Sequence, residues 1–174
     1  MLLRYSVNYM RQIVVIADNL RSTFNVGSLL RTAEGLAVSK VYLCGYTPYP
    51  KSKHDQRLPY ISEKIDKQIH KTALGAERLI SVEHEDKIEN VLNKLKDDSY
   101  TVLALEQSNK SIMLNEYVPT EKIAIVLGNE VDGIQESTLK LCDGVLEIPM
   151  LGSKESYNVI QAAAMALFHI RFSP

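Results

Sequence analysis

Three short polar segments of this chain contain residue types that bind small ligands. The first is Asn25–Arg31, where a loop enters a predicted helix, and the second is Gly128-Asn129-Glu130, at the end of an apolar run. The third is Ser156-Tyr157-Asn158, which opens the last predicted helix. Backbone N–H groups at a helix N-terminus favour anions, and a glycine at a strand end lets a ligand approach the backbone. These segments therefore predict a small-molecule site.

Each segment also has a purely structural interpretation. Asn25 suits a helix N-cap, and Arg31 has Glu34 three residues later as an ion-pair partner. Glu130 fits a solvated turn between a strand and a helix, and Asn158 fits the N-cap of the last helix. On the residues alone, both interpretations stay open.

The distribution of glycines narrows the type of site. Four of the eight glycines lie in the C-terminal part of the chain, around two predicted strand ends: Gly128, Gly133, Gly144 and Gly152. The phosphate-binding pattern G-x-x-x-x-G-K-[ST] is absent, and so is a G-x-G-x-x-G after the first strand. The site is therefore expected in this C-terminal part, and nucleotide hydrolysis and a conventional dinucleotide pocket lose support.

The elements that must position these segments alternate along the chain. Short apolar runs predict buried strands at Ile13–Ala17, Val41–Cys44, Val102–Leu105, Ile123–Leu127 and Val145–Ile148. Helical segments are predicted at Val26–Ala37, Ile88–Lys96, Gln135–Cys142 and Val159–Phe172. This alternation predicts an α/β fold, a mainly parallel sheet with helices on both faces.

The first and last predicted helices differ in their apolar surfaces. The first has one apolar stripe with Arg31 on the opposite face, and the stripe comprises Val26, Leu29, Leu30, Ala33 and Ala37. The last, Val159–Phe172, is apolar around almost its whole circumference. It is expected to be buried on two sides, by the sheet and by a second subunit.

The segment Tyr46–Lys71 is predicted to be irregular because three prolines interrupt it. Six basic and three acidic residues give it a local charge of +3, and it contains three tyrosines able to stack on unpaired bases. It fits an RNA-contacting loop, but ordinary solvated loops have a similar composition.

Composition excludes several other classes. The net charge is −1, so any nucleic-acid affinity must come from a local patch. The two cysteines and four histidines show no metal-ligand spacing, so no metal site is expected. The longest early apolar run, Ile13–Ala17, is too short for a signal peptide or membrane span. We expect a soluble cytoplasmic protein with free thiols and no membrane partner.

Taken together and in order, these segments resemble the three motifs of the TrmH (SpoU) family within the SPOUT methyltransferases. The motifs are Asn25 with Arg31, then Leu127–Glu130, then Ile148-Pro149-Met150 with Ser156–Val159. The resemblance spans roughly residues 11 to 172 and depends on three motifs at three strand ends. Tyr157 departs from the leucine or similar residue that is frequent in the family.

The resemblance implies an S-adenosylmethionine-dependent methyltransferase acting on a ribose 2′-hydroxyl of tRNA or rRNA. It also implies a C-terminal trefoil knot and a homodimer in which the arginine of one subunit faces the cofactor of the other. Residues 1–174 are expected to form one methyltransferase domain, with residues 1–10 as an extension and no separate RNA-binding domain. RNA selection would then depend on the dimer surface, the segment Tyr46–Lys71 or an accessory protein.

The same resemblance assigns roles to individual residues. Arg31 is expected to grip the RNA phosphate and stabilise charge on the ribose oxygen, because its guanidinium stays protonated. Asn25, Ser156 and Asn158 would orient the ribose and Arg31, and Glu130 would fix the arginine or shape the pocket entrance. The cofactor would be held mainly through backbone groups at Leu105, Gly128, Ile148, Met150, Ser156 and Tyr157.

Two other functions stay open. One is an RNA-binding or assembly protein that keeps the fold without methylating, and the other is an RNA base methyltransferase. Every polar motif position is filled, which favours activity over the first. The Asn25/Arg31 and Ser156/Asn158 pattern favours ribose over base methylation.

Overall fold

A computed structural model describes residues 11–53 and 55–174 of the chain. Within them lie the strands β1 (Gln12–Asp18), β2 (Lys40–Cys44), β3 (Val82–Glu85), β4 (Thr101–Leu105), β5 (Ile112–Met113), β6 (Lys122–Leu127) and β7 (Gly144–Glu147). The α-helices are α1 (Thr23–Gly35), α2 (Pro59–Ala73), α3 (Ile88–Asp97), α4 (Glu136–Leu139) and α5 (Val159–Phe172). The predicted N-terminal extension, residues 1–10, lies outside the described residues.

The strands form one sheet in the order β3-β2-β1-β6-β4-β7-β5. Every pair of these strands is parallel, and Ile16 of β1 lies between Tyr42 of β2 and Val126 of β6. The predicted parallel α/β fold is therefore confirmed. The trefoil knot concerns how the chain after Glu147 is threaded, and it stays a prediction.

Helices cover both faces of the sheet, as predicted. Ile13 and Val15 of β1 pack with α1, α2 and α5 on one face. Val14 and Ile16 pack with α3 and the residues around α4 on the other. Because both faces are buried, a central strand such as β1 consists of a continuous apolar run.

All five predicted strands are present, but two further strands were not predicted. β3, with the sequence Val-Glu-His-Glu, is an edge strand that is only partly buried, and β5 has two residues at the opposite edge. An edge strand packs fewer apolar side chains than a central one, so neither has the apolar run that predicts a buried strand.

Two helix predictions extended too far toward the C-terminus, and the first of them, Val26–Ala37, also began three residues after the observed start of α1 at Thr23. The helix predicted over Gln135–Cys142 is reduced to the four residues of α4. Ala37 does not continue the stripe of α1 because its φ angle is +54° and it lies beyond the helix, while Val38 is buried instead. The other stripe residues of α1 are fully buried, as predicted: Val26, Leu29, Leu30 and Ala33.

The prediction of an irregular Tyr46–Lys71 segment was wrong in its second half. There α2 begins at Pro59, which occupies the first turn of the helix. A proline at that position fits because its missing N–H would have no partner within the helix. Only the part before Pro59 is a loop.

A close approach of α1 and α2 positions both helices on the sheet. A Cβ atom added to Gly27 of α1 would overlap the Thr72 hydroxyl and the Ile69 carbonyl oxygen of α2. The same Thr72 hydroxyl donates a hydrogen bond to the Phe24 carbonyl oxygen, at 2.9 Å. Only glycine at position 27 allows this packing.

We therefore expect Gly27→Ala to lower the free energy of unfolding by about 1–3 kcal/mol, the usual cost of overpacking. Gly35→Ala is the matched control, because a Cβ there has no neighbour within 4 Å. It should leave stability unchanged or slightly higher. Urea unfolding measures both variants, and equal effects would show that the helix contact does not require glycine.

Candidate functional site

A cleft of about 650 Å³ opens at the carboxyl ends of β4, β6 and β7. Its walls are the loops that follow these three strands and the first turn of α5. In parallel sheets, ligands bind at this edge. Most of the residues that line the cleft lie between Gly128 and Ala162, in the C-terminal part of the chain where the sequence predicts the site.

The structure places five of the six residues predicted to hold the cofactor around this cleft. They are Leu105, Gly128, Ile148, Ser156 and Tyr157. Met150 does not line the cleft and is half-buried in the loop after β7. The binding roles of these residues stay predictions.

The residues predicted to be catalytic are only partly brought together. Glu130, Ser156 and Asn158 line the cleft. Asn25 does not line it, but its side-chain amide donates to Glu130 Oε1 at 2.8 Å. Arg31 does not line it either and is exposed on α1.

Glu130 ties the loop after β6 to the start of α1. Besides the Asn25 amide, its carboxylate accepts the Arg21 N–H at 2.9 Å and the Ser22 N–H at 3.2 Å. Burial acts to raise the pKa of Glu130, but these hydrogen bonds outweigh burial and hold the pKa below its ordinary value of 4.5. Glu130 therefore stays ionised and fixes the start of α1 within its own chain, and its predicted role toward Arg31 stays a prediction.

The structural interpretations of Asn25 and Arg31 do not hold. Ser22, not Asn25, is the N-cap of α1, and its hydroxyl accepts the Asn25 N–H at 3.3 Å. Arg31 makes no ion pair with Glu34 in the described part of the chain. The Asn158 interpretation is confirmed, because its side chain caps α5 by accepting the Ile160 N–H at 2.9 Å.

Asn129 belongs to the second of the three polar segments, but its sequence pattern predicts no particular role for it. It is 8% exposed, and its amide nitrogen donates to the Asn19 carbonyl oxygen at 2.9 Å and to the Tyr46 hydroxyl at 2.6 Å. Its side-chain oxygen accepts the N–H groups of Val131 and Asp132. One side chain thus joins the loops after β1, β2 and β6. Its position directly after a strand-ending glycine was the available signal.

Gly128 lacks a side chain for a reason other than ligand access. A Cβ there would lie 2.5 Å from the Gly133 carbonyl oxygen and 2.5 Å from the Ile134 nitrogen. The chain itself approaches Gly128, because the segment after β6 turns back and forms a bridge between Asn129 and Gly133. Gly128 is therefore required by the packing of the chain itself, and the approach of a ligand to its backbone stays a prediction.

Two further residues missed by sequence reasoning connect the walls of the cleft. Glu106 accepts the Ile134 N–H at 3.1 Å and thereby holds the turn after β6. The Gln107 side chain donates to the Glu155 carbonyl oxygen at 2.7 Å. This is the only hydrogen bond in the described chain that reaches residues 150–157. Nothing in the local pattern of either residue predicts these contacts.

The charge of the lining favours a cationic ligand. Three carboxylate side chains border the cleft, from Glu106, Glu130 and Asp132. Its lining contains no lysine, arginine or histidine. The amide and hydroxyl groups of Asn158 and Ser156 add hydrogen-bonding capacity at the start of α5.

Metal and thiol chemistry have no support in the described residues. They contain no group of three or more His, Cys, Asp or Glu side chains arranged to hold a metal ion. Both cysteines are free, and burial raises the pKa of Cys44 to about 12 and that of Cys142 to about 11. Both thiols are therefore protonated at neutral pH. None of the helices in this part of the chain is long and apolar enough to cross a membrane.

Comparison with protein families matches residues 12–168 of this chain to the SpoU rRNA Methylase family. A relative from Neisseria meningitidis serogroup B, 23S rRNA (guanosine-2′-O-)-methyltransferase RlmB, is 29% identical over 91% of this chain and 58% of its own length. RlmB from Xanthomonas axonopodis pv. citri is 30% identical over 91% of this chain and 57% of its own length. This chain thus spans less than two thirds of the length of these relatives.

Solved structures share the fold. The A. aeolicus TrmH/SpoU tRNA modifying enzyme superposes with a TM-score of 0.76 at 21% identity, over 94% of this chain and 75% of its own. The SpoU methyltransferase AviRb from Streptomyces viridochromogenes, in complex with AdoMet, gives a TM-score of 0.77 at 18% identity. This superposition covers 93% of this chain and 57% of AviRb. At these identities the similarity establishes the fold.

We expect Glu130→Gln to lower the free energy of unfolding at pH 7 by about 1 kcal/mol or less, because the lost hydrogen bonds are solvent-exposed. The folded-state pKa of Glu130 is depressed, so its stabilisation is present above its ordinary pKa of 4.5 and is lost as the pH falls below it. The difference between wild type and variant should therefore shrink from pH 7 to pH 3.

Urea unfolding across this pH range measures the effect. Glu116→Gln is the control, because Glu116 is exposed and its side chain makes no hydrogen bond within the described residues. A Glu130 effect that is constant with pH would contradict the role of the ionised carboxylate.

Proposed function

The chain belongs to the SpoU rRNA methylase family, and from that premise we propose that it transfers a methyl group from S-adenosylmethionine to a ribose 2′-hydroxyl of tRNA or rRNA. The observation that carries this proposal is the cleft, where the loops after β4, β6 and β7 converge beside the Glu130–Asn25 contact. The curated relatives named as 23S rRNA 2′-O-methyltransferases, and the structural relative with AdoMet bound, support the same reaction.

The cleft fits the proposed methyl donor in size and charge. Its volume of about 650 Å³ lies within the usual range for small-molecule and cofactor sites. S-adenosylmethionine carries a sulfonium and an ammonium cation against one carboxylate, which suits a lining with three carboxylates. Bound there, it would supply a methyl group that the sulfonium already activates.

The residues at the start of α5 would orient the two reactants. Asn158 uses its side-chain oxygen for the cap, which leaves its amide N–H groups for a ligand. Ser156 is exposed at the rim of the cleft and offers a hydroxyl. Gln107 holds the loop between β7 and α5 against β4, so these groups keep their positions.

Arg31 is available for RNA because it is exposed and unpaired within the described residues. Its guanidinium stays protonated, so it would not accept the hydroxyl proton. It would instead hold a substrate phosphate and stabilise negative charge that develops on the ribose oxygen. It lies six residues after Asn25, about 9 Å further along the helix axis, and away from the cleft of its own chain.

A homodimer would account for that separation. α5 buries one side against the core and exposes the other, where Phe168 is 59% exposed and Met165 36%. The ring of Phe168 lies 4.7 Å from that of Phe172, so the exposed side includes a continuous apolar surface. We propose that a second copy covers this surface and that its Arg31 serves the cleft. Exposed apolar patches commonly mark such interfaces.

The activity test measures transfer of labelled methyl groups to tRNA and rRNA from cells that lack the gene. We expect a labelled 2′-O-methylnucleoside after digestion. Arg31→Ala should reduce single-turnover transfer by about 100-fold or more, the usual cost of deleting one charge-stabilising donor. Arg31→Lys should restore only part of the rate, because a point charge lacks the fork of the guanidinium.

The control for this series is Glu34→Ala, which should transfer at the wild-type rate. All variants should unfold at the wild-type temperature, because Arg31 and Glu34 are both exposed. Normal transfer by Arg31→Ala would remove the arginine from the mechanism. Label found in a methylated base would show that the enzyme methylates a base and not the ribose. The absence of transfer to both RNAs would contradict the proposed reaction.

For the dimer, we expect Phe168→Asp to shift the protein to a monomer, because a carboxylate would have to be buried in an apolar interface. Leu79→Asp is the control, since Leu79 is 75% exposed and lies on a different element. Light scattering at micromolar concentration measures the mass. A monomeric wild type that is active would refute both the dimer and the shared site.

A further inference from the structure

The outward face of α2 is basic along its full length. At 100° per residue, four side chains lie within about 60° of arc on the side opposite the buried residues Ser62, Ile69 and Ala73. All four are exposed, and we call them the lysine face: Tyr60, Lys64, Lys67 and Lys71.

The lysines of this face have no acidic partners. Within the described residues, none of the three forms an ion pair. The nearest acidic residues of α2 are engaged elsewhere, because Glu63 pairs with Lys51 at 3.2 Å and Asp66 with Arg78 at 3.4 Å. The face therefore keeps three positive charges in a chain whose net charge is −1.

This arrangement differs from an ordinary solvated helix face. Lys64 and Lys67 are three residues apart, and Lys67 and Lys71 are four apart, so each pair places like charges side by side. Such pairs destabilise a helix, whereas opposite charges at the same spacing stabilise it. A polyanion bound across the face would relieve this repulsion.

The lysine face also leads toward the proposed reaction site. Lys71 precedes Thr72, whose hydroxyl donates to the Phe24 carbonyl oxygen in the first turn of α1 at 2.9 Å. The next residue of α1 is Asn25, which is bonded to Glu130 at the cleft. A strand of RNA lying along α2 would thus pass onto the helix that carries Arg31.

We propose that the lysine face binds the phosphate backbone of the RNA substrate and that Tyr60 stacks on an unpaired base at its end. This inference rests on the proposed function, for which it names the substrate-binding surface. Lysines contact phosphates as point charges, and exposed aromatic rings stack on bases without regard to sequence.

The loop before α2 contributes less than its composition suggested. Arg57 lies over the ring of Tyr49, with its guanidinium carbon 3.5 Å from the ring centroid. The same guanidinium bonds to Asp55 and to the Tyr49 and Pro50 carbonyl oxygens. Arg57 is thus used within the loop itself, so the free positive charges of the described part of Tyr46–Lys71 are the three lysines of the lysine face and Lys53 before α2.

The test compares two triple variants of the full chain that remove the same charge. The first is Lys64→Glu/Lys67→Glu/Lys71→Glu. The control is Lys87→Glu/Lys94→Glu/Lys140→Glu, at exposed lysines beside α3 and α4 on the other side of the sheet. The probe is fluorescently labelled unfractionated bacterial tRNA, and its Kd is measured by anisotropy at several salt concentrations.

We expect the first variant to bind the tRNA at least tenfold more weakly than wild type and the control to bind within twofold. Loss of three phosphate contacts should also reduce the slope of log Kd against log salt by about two. Should the charge-reversed variant fail to fold, the triple alanine variant should give the same slope change. Tyr60→Ala should weaken binding about tenfold and Tyr60→Phe should not, because phenylalanine keeps the stacking surface.

Equal weakening by both triple variants, or no binding by the wild type, would overturn the inference. Calorimetry with S-adenosylmethionine separates this result from failure of the proposed function. The lysine-face variant should keep wild-type affinity for the donor, since none of its substitutions lies at the cleft. If the wild type bound tRNA through the lysine face but did not bind S-adenosylmethionine, the RNA-binding surface would be supported. The proposed methyl transfer would be contradicted.

Discussion

The hydrogen bonds of Asn129 and Glu130 hold together loops that no strand pairing connects, and the rest of the site depends on them. Asn129 joins the ends of β1, β2 and β6 from a buried position, and Glu130 receives three donors from the start of α1. In a parallel sheet the carboxyl ends of the strands lie at one edge, but strand pairing alone does not orient the polar loops that follow them. Asn129 and Glu130 orient these loops together with further hydrogen bonds between the loops after β1 and β2, such as that from the Leu20 N–H to the Thr47 hydroxyl. The start of α1 and the cleft are thereby held in a fixed relative position.

Two glycines allow close approaches of the chain that position the elements around the site. Gly128 lets the segment after β6 fold back on itself, which places Asn129 and Glu130 in their contacts. Gly27 lets α2 lie directly against α1, which brings the lysine face next to the helix that carries Arg31. Neither glycine is needed for a positive φ angle. Each is needed because another part of the same chain occupies the space of a Cβ atom.

Much of the fold was predictable because its signal is local. Apolar runs such as Ile123–Leu127 marked the central strands, and the spacing of Val26, Leu29, Leu30 and Ala33 marked the buried face of α1. The order of the polar motifs indicated which loops would meet, and most of the predicted cofactor residues do lie around one cleft. Several of the failures were non-local. Glu106 contacts a residue 28 positions away in the chain, and Gln107 contacts one 48 positions away. The periodicity of a sequence does not predict contacts over such separations. The sequence does not predict the helix at Pro59, because a proline within a segment usually interrupts regular structure, whereas in the first turn it fits a helix.

The most direct test of the central claim, that the cleft between the loops after β4, β6 and β7 holds the methyl donor, is a titration of the ¹⁵N-labelled full chain with S-adenosylmethionine, followed by backbone amide shifts. The claim predicts saturable shifts concentrated at residues 105–107, 128–134 and 146–162, with small effects on β2, β3 and α3. Saturable shifts confined to another surface, or no shifts at millimolar donor, would contradict it.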